Sequence, residues 1–173
     1  ALETQQKAIG VYEKTLRADH PFIGTAYNNL ATFYQDNGDL QNALVAQKKG
    51  IDILSKTPSL DPIALGASYN TLAGIYKELK NYGKALEAQI NAIDLFDQVL
   101  TSDHPYYGTA YNNLATIYNG LKQYDKALDA IHKAIDIRLV ALEPGHRDIG
   151  VSFNNLATIY SALKNYQKAA FYE

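Results

Sequence analysis

The 173-residue sequence contains no cysteine. That excludes disulfides, a thiol nucleophile, thiolate-bound zinc and iron–sulfur ligation, and it leaves the redox compartment open. Charge of one sign is also missing: 16 Lys and Arg stand against 18 Asp and Glu, a formal net charge of −2. Nucleic-acid binders ordinarily carry a basic track, so that partner class is set aside. No apolar run reaches the length of a membrane span, about 18 residues. The polar opening at Ala1 has no signal-peptide pattern. Together these two features lead to the expectation of a cytoplasmic protein without membrane contact. There is no Gly-x-Ser-x-Gly elbow, phosphate loop or His-Glu-x-x-His pair, so neither enzyme chemistry nor a cofactor is expected.

What the sequence does have is repetition. Residues 21–34 read PFIGTAYNNLATFY and residues 105–118 read PYYGTAYNNLATIY, identical at 11 of 14 positions. IALGASYNTLAGIY at 63–76 and RDIGVSFNNLATIY at 147–160 complete a series with a period of 42. Tyr27, Tyr69, Tyr111 and Phe153 hold one position of it. Gly24, Gly66, Gly108 and Gly150 hold another, and Leu30, Leu72, Leu114 and Leu156 a third. The register divides the chain into a partial unit 1–18, units 19–60, 61–102 and 103–144, and an incomplete unit 145–173, all in one array.

Each unit reads as two helices. Tyr111, Leu114, Ala115 and Tyr118 recur at i, i+3, i+4 and i+7, one apolar face of a 3.6-residue helix. Tyr124, Ala127, Leu128, Ile131, Ala134, Ile135 and Leu139 repeat the pattern in the second helix. Asp19, Asp61 and Asp103, in register and followed by Pro21, Pro62 and Pro105, read as N-caps, with Gly145 in the fourth copy. Asn37-Gly38, Lys80-Asn81, Lys122-Gln123 and Lys164-Asn165 read as the turns, and such short links make antiparallel neighbours. Residues 1–17 and 166–173 each align with part of a second helix. The expectation is therefore an all-α solenoid of stacked antiparallel helix pairs, trimmed from a longer array and open to end-to-end self-association through its uncapped ends.

With Tyr-x-x-Leu-Ala-x-x-Tyr in the first helix and Tyr-x-x-Ala-Leu in the second, the sequence resembles the tetratricopeptide repeat, whose usual unit is about 34 residues. The run His-Pro-x-x-Gly-Thr-Ala-Tyr-Asn-Asn-Leu-Ala-Thr-x-Tyr at 20–34 and 104–118 is similar to the longer units of kinesin light chains. The aromatic that opens the motif is Tyr or Phe rather than Trp, and the helix-contact residue is Ala31, Ala73, Ala115 and Ala157 rather than Gly. The added residues lengthen each helix by roughly 6 Å at 1.5 Å per residue. The resemblance implies a right-handed superhelix with the first helices on the inner wall, and a protein or peptide ligand held there.

By the family's pattern the groove positions are Thr25, Asn28, Thr32, Gln35 and Asp36 on the first inner helix. Their counterparts are Ala67, Asn70, Gly74, Lys77 and Glu78, then Thr109, Asn112, Thr116, Asn119 and Gly120. The fourth set is Val151, Asn154, Thr158, Ser161 and Ala162. Asn28, Asn70, Asn112 and Asn154 form a ladder whose amides could pair with both groups of a peptide backbone. Losing Asn70 and Asn112 should then abolish capture with little loss of stability. The adjacent Asn29, Asn113 and Asn155 are expected to bond neighbouring helices instead. Lys77 is the only base of the set, so a neutral or mildly basic extended peptide fits better than an acidic one. Gly74, Gly120 and Ala162 leave room for an apolar anchor, and Tyr106 and Tyr107 could rim the groove.

His20, His104, His132 and His146 are read as bonding local backbone rather than a metal. Equivalent residues on stacked helices lie about 8–10 Å apart, too far to share one ion. A regulatory segment of a larger enzyme or signalling protein, and a self-assembling scaffold, stand as alternatives to a peptide-binding module.

Overall fold

The computed structural model describes residues 2–57 and 61–172. Within them the chain forms α1 (Leu2–Thr15), α2 (Pro21–Asp36), α3 (Leu40–Ser55), α4 (Pro62–Glu78), α5 (Tyr82–Phe96), α6 (Pro105–Gly120), α7 (Tyr124–Ala141), α8 (Arg147–Ala162) and α9 (Tyr166–Tyr172). There is no strand among the described residues.

The starts of the inner helices differ from the sequence expectation in a consistent way. Asp61 caps α4, accepting from the backbone N–H groups of Ile63 and Ala64. In the other three units the cap is a histidine. Nδ1 of His20, His104 and His146 accepts from the backbone N–H of Phe22, Tyr106 and Asp148, at 3.2, 3.3 and 3.2 Å. Asp19 instead pairs with Arg17 at 2.9 Å, and Gly145 takes a positive φ of 87° in the turn. In the units of His20 and His104 the reason is the placement of proline. Pro62 follows Asp61 directly, whereas a histidine separates Asp19 from Pro21 and Asp103 from Pro105.

The turns within pairs fall where expected. Gly38, Lys80, Lys122 and Lys164 occupy the left-handed region, with φ of 77°, 56°, 60° and 59°. Asp39, Asn81 and Asn165 then cap the outer helices by accepting from the N–H groups of Asn42, Lys84 and Lys168. Gln123 makes no such bond.

No pair hides its apolar face alone. Ile9, Leu30, Ala43 and Ile75 share one buried cluster, Ile51, Leu72, Ala85 and Ile117 the next, and Leu114, Ile131, Leu156 and Ile159 another. Each cluster draws on several consecutive helices, so the core is continuous along the stack. Gly66 shows how close the approach is: a Cβ there would lie 2.5 Å from the Phe96 ring.

The stack also has a direction of curvature. The backbones of α2 and α4, of α4 and α6 and of α6 and α8 come together, whereas those of no two odd-numbered helices do among the described residues, α1 and α3 meeting through the long side chains of Glu13 and Lys49. Elements that crowd together lie on the shorter, inner side. The even helices therefore form the concave wall.

Two opposite stability changes follow. Replacing Lys80, Lys122 and Lys164 by glycine relieves the left-handed strain and should stabilise by about 0.5–1 kcal/mol per site. Gly66→Ala drives a methyl into Phe96 and should cost about 1–3 kcal/mol. Urea unfolding of both variants beside the parent chain measures each effect.

Candidate functional site

On a helix of 3.6 residues per turn, positions at i, i+4 and i+7 share a face. On α2 the face away from the core carries Thr25, Asn29, Thr32 and Asp36, all exposed. The same row continues as Ala67, Thr71, Gly74 and Glu78 on α4 and as Thr109, Asn113, Thr116 and Gly120 on α6. On α8 it is Val151, Asn155, Thr158 and Ala162. Where α2 and α4 meet, Thr25, Asn28, Asn29, Thr32, Ala64, Ala67, Ser68 and Thr71 line a shallow depression. Thr25, Thr32, Thr109, Thr116 and Thr158, named from the sequence, all belong to this row.

The asparagine ladder does not. One residue along a helix turns a side chain by about 100°, and that step carries Asn28, Asn70 and Asn112 into the seams between helices. Asn28 Oδ1 accepts from Gln47 Nε2 at 2.9 Å, and its Nδ2 donates to Ser68 Oγ. Asn70 Oδ1 accepts from Gln89 Nε2 at 3.0 Å and from Asn113 Nδ2 at 3.2 Å. Asn112 Oδ1 accepts from Asn155 Nδ2 at 3.0 Å and Ser152 Oγ at 3.3 Å. All three Oδ1 atoms, and the Nδ2 of Asn28, are thus engaged by the scaffold, which corrects the expectation of a ladder of amides offered whole to the channel. Asn154 is exposed. Asn113 and Asn155 bond the neighbouring inner helix, as the sequence suggested, whereas Asn29 is exposed and makes no such bond among the described residues.

Gln35, Lys77 and Asn119 fall on the same turned-in side. Gln35 Nε2 donates to Glu78 Oε1 across the α2–α4 seam. Burial pushes the Lys77 ammonium below its ordinary pKa, although the nearby Glu78 opposes the shift. Asn119 Oδ1 is enclosed without a partner among the described residues. One of the supposed gaps for an anchor is occupied: the Tyr82 ring lies where a side chain at Gly120 would go. At Gly74 the nearest atom, Gln35 Nε2, lies 3.5 Å from the Cβ position, an ordinary contact distance.

The two tyrosines at the start of α6 part company. Tyr106 is 42% exposed and stacks on Phe96 at 5.4 Å. Tyr107 is 3% exposed, and its hydroxyl donates to Asp97 at 2.7 Å. Burial and that carboxylate push its pKa up.

The inner row holds no Lys or Arg, whereas Asp36 and Glu78 lie on it. Its hydroxyls are partly engaged: Thr32, Thr71 and Thr158 donate to the carbonyl four residues back, and Thr116 to the carbonyl three back. A hydroxyl so bonded retains acceptor capacity. Among the described residues no group of three His, Asp or Glu is placed to hold a metal. No helix among them is long and apolar enough to cross a membrane.

The pattern described as tetratricopeptide repeat matches residues 65–139 and 109–173, and a second pattern of that description matches 23–57. No curated protein sequence matches the chain significantly. Among solved structures, a Podosopora anserina protein of nearly identical TPR-like repeats, assigned as a kinesin light chain, is 26% identical with a TM-score of 0.77. That match covers 99% of this chain and 81% of the other. BtubC (BKLC) from P. vanneervenii is 24% identical, with a TM-score of 0.80 over 98% of this chain and 70% of its own. The apo form of RapI, at 14% identity and a TM-score of 0.77, matches 99% of this chain with 45% of its own. The last two likenesses concern the fold alone.

Asn70→Ala strands the Gln89 and Asn113 donors and should cost about 1–3 kcal/mol. Thr25→Ala, on the open row, should stay within about 0.5 kcal/mol. Equilibrium urea unfolding distinguishes them, and equal costs would remove the separation between seam and surface.

Proposed function

Because the chain belongs to the tetratricopeptide-repeat family, whose arrays are in general protein-interaction modules, we propose that its concave wall captures an extended, neutral or mildly basic peptide segment. One observation carries this reading: the inner row of Thr25, Asn29, Thr32, Thr71, Thr109, Thr116 and Thr158 is polar and presented along one face. Hydroxyl and amide groups at a regular helix-to-helix spacing suit backbone N–H and C=O groups, whatever the side chains of the segment. The absence of bases on the row, with Asp36 and Glu78 on it, disfavours an acidic ligand. Asn28, Asn70 and Asn112 hold the wall in place in this reading, and Asn154 remains a contact residue.

A displayed library of random peptides tests it. The selected peptides should carry zero or positive net charge. Combining Thr71→Arg with Thr116→Arg should weaken their binding by more than about tenfold, about 1.4 kcal/mol, while the helical circular dichroism signal is unchanged. Acidic selections, or equal binding to the double variant, would overturn the proposal. A second reading, association of copies through α9, is favoured by Phe171, which is 81% exposed. Sedimentation should then show mass rising with concentration in the parent chain and not in Phe171→Ser.

A further inference from the structure

Near the ends of α3 and α5 the repeat places Leu54 and Phe96 against Gly24 and Gly66. The equivalent residue of α7 is Arg138, lying against Gly108 and only 5% exposed. Hydrocarbon fills this position in two of three units, so packing does not call for a cation. Buried charges are ordinarily paired. Arg138 donates only through Nη1, to the Asp148 carbonyl oxygen at 2.7 Å and to Ser152 Oγ at 2.6 Å, both neutral acceptors.

The ion pairs among the described residues involve Lys7, Arg17, Lys49 and Lys56, not Arg138. Its Nε and Nη2 have no acceptor there either. They are also absent from the fully enclosed unpartnered atoms, which are Gln47 Oε1, Gln89 Oε1 and Asn119 Oδ1. That edge of the guanidinium is therefore in contact with the outside. Asp148 supplies an attraction that favours the charged form, but burial outweighs it and pushes the Arg138 pKa down. The first turns of α6 and α8 border the site through Gly108 and Asp148, and helix N-termini add positive potential.

We infer that Arg138 anchors an oxyanion site at the edge of the array where α6 and α8 begin, and that it takes a carboxylate from a partner segment. The two unspent N–H directions of a guanidinium edge match the two oxygens of a carboxylate in parallel hydrogen bonds. Nη1, held by Asp148 and Ser152, fixes the plane of the group, so the ligand does not have to order it. The inference is independent of the concave-wall reading, because no residue of the threonine row takes part in the site.

The test follows the arginine Nε–Hε resonances of the chain, which has three arginines, Arg17, Arg138 and Arg147. Arg138→Phe, copying Phe96 of the preceding unit, assigns the signal and keeps the packing. The probes at constant ionic strength are N-acetylaspartyl amide, N-acetylalanine, neutral N-acetylalaninamide and inorganic phosphate. A saturable shift of the Arg138 signal with one of the two carboxylates, and a melting temperature raised by that probe in the parent but not in Arg138→Phe, supports the site. Preference between the two tells a side-chain carboxylate from a chain terminus. No saturable shift with either, a response to phosphate alone, or an equal response to the neutral amide would overturn it.

Discussion

Ala31, Ala73, Ala115 and Ala157 are at most 2% exposed, and Ala43, Ala85 and Ala127 are fully buried. A larger side chain at any of them would force paired helices apart, and interiors tolerate such insertions poorly. Small residues at these crossings fix the distance and the rotation of each pair. Rotation then decides everything that bears on function, because it selects which residues of the even helices close the seams and which face the concave side.

The seams are polar where an apolar filling would have sufficed, and each is wired differently. The first joins Asn28 to Gln47 and Ser68, and the second joins Asn70 to Gln89 and Asn113. In the third, Ile131 stands in the glutamine position, and Asn112 is served by Ser152 and Asn155 instead. Ser152 in turn receives Arg138. A buried amide without partners is costly, and the donors of Asn155 and Ser152 satisfy Asn112 Oδ1 where the glutamine donor is lost. Ser68 and Ser152 thus sit where the other two units have Ala26 and Ala110. Polar contacts of this kind discriminate against slipped stacking, since a shifted neighbour would leave amides unpaired.

The period of 42, the helix pairs and their turns were legible in the sequence because apolar periodicity and turn chemistry are local signals. The caps were less so. Asp is the stronger prior, yet proline spacing handed the role to His20 and His104, and His146 takes it in the unit that has Gly145 in place of Asp. The asparagine ladder failed for a different reason. Periodicity identifies the apolar face but does not say whether a polar residue at its border turns outward or inward. Asn28 and Asn29 are adjacent and chemically identical, and only the position of their neighbours separates them. A signal did exist: Gln47, Gln89, Ser68 and Ser152 are polar residues on faces that otherwise read as core, and each needs a partner across a seam. Arg138, in a row otherwise Leu54 and Phe96, was the same kind of clue.

The division between seam and surface has a consequence for recognition. The crossing row is alanine in every unit, whereas the row at Phe22, Ala64, Tyr106 and Asp148, in the first turns of the even helices, is aromatic, small, aromatic and acidic in turn. Residues that set the rotation cannot vary without moving the helices. Exposed residues such as Thr25 and Thr32 set no crossing, so their exchange alters the channel and leaves its walls standing. Units so similar in their interior can therefore present four different faces along the array. A frame fixed by packing also limits the ordering cost that any segment bound along it would have to offset.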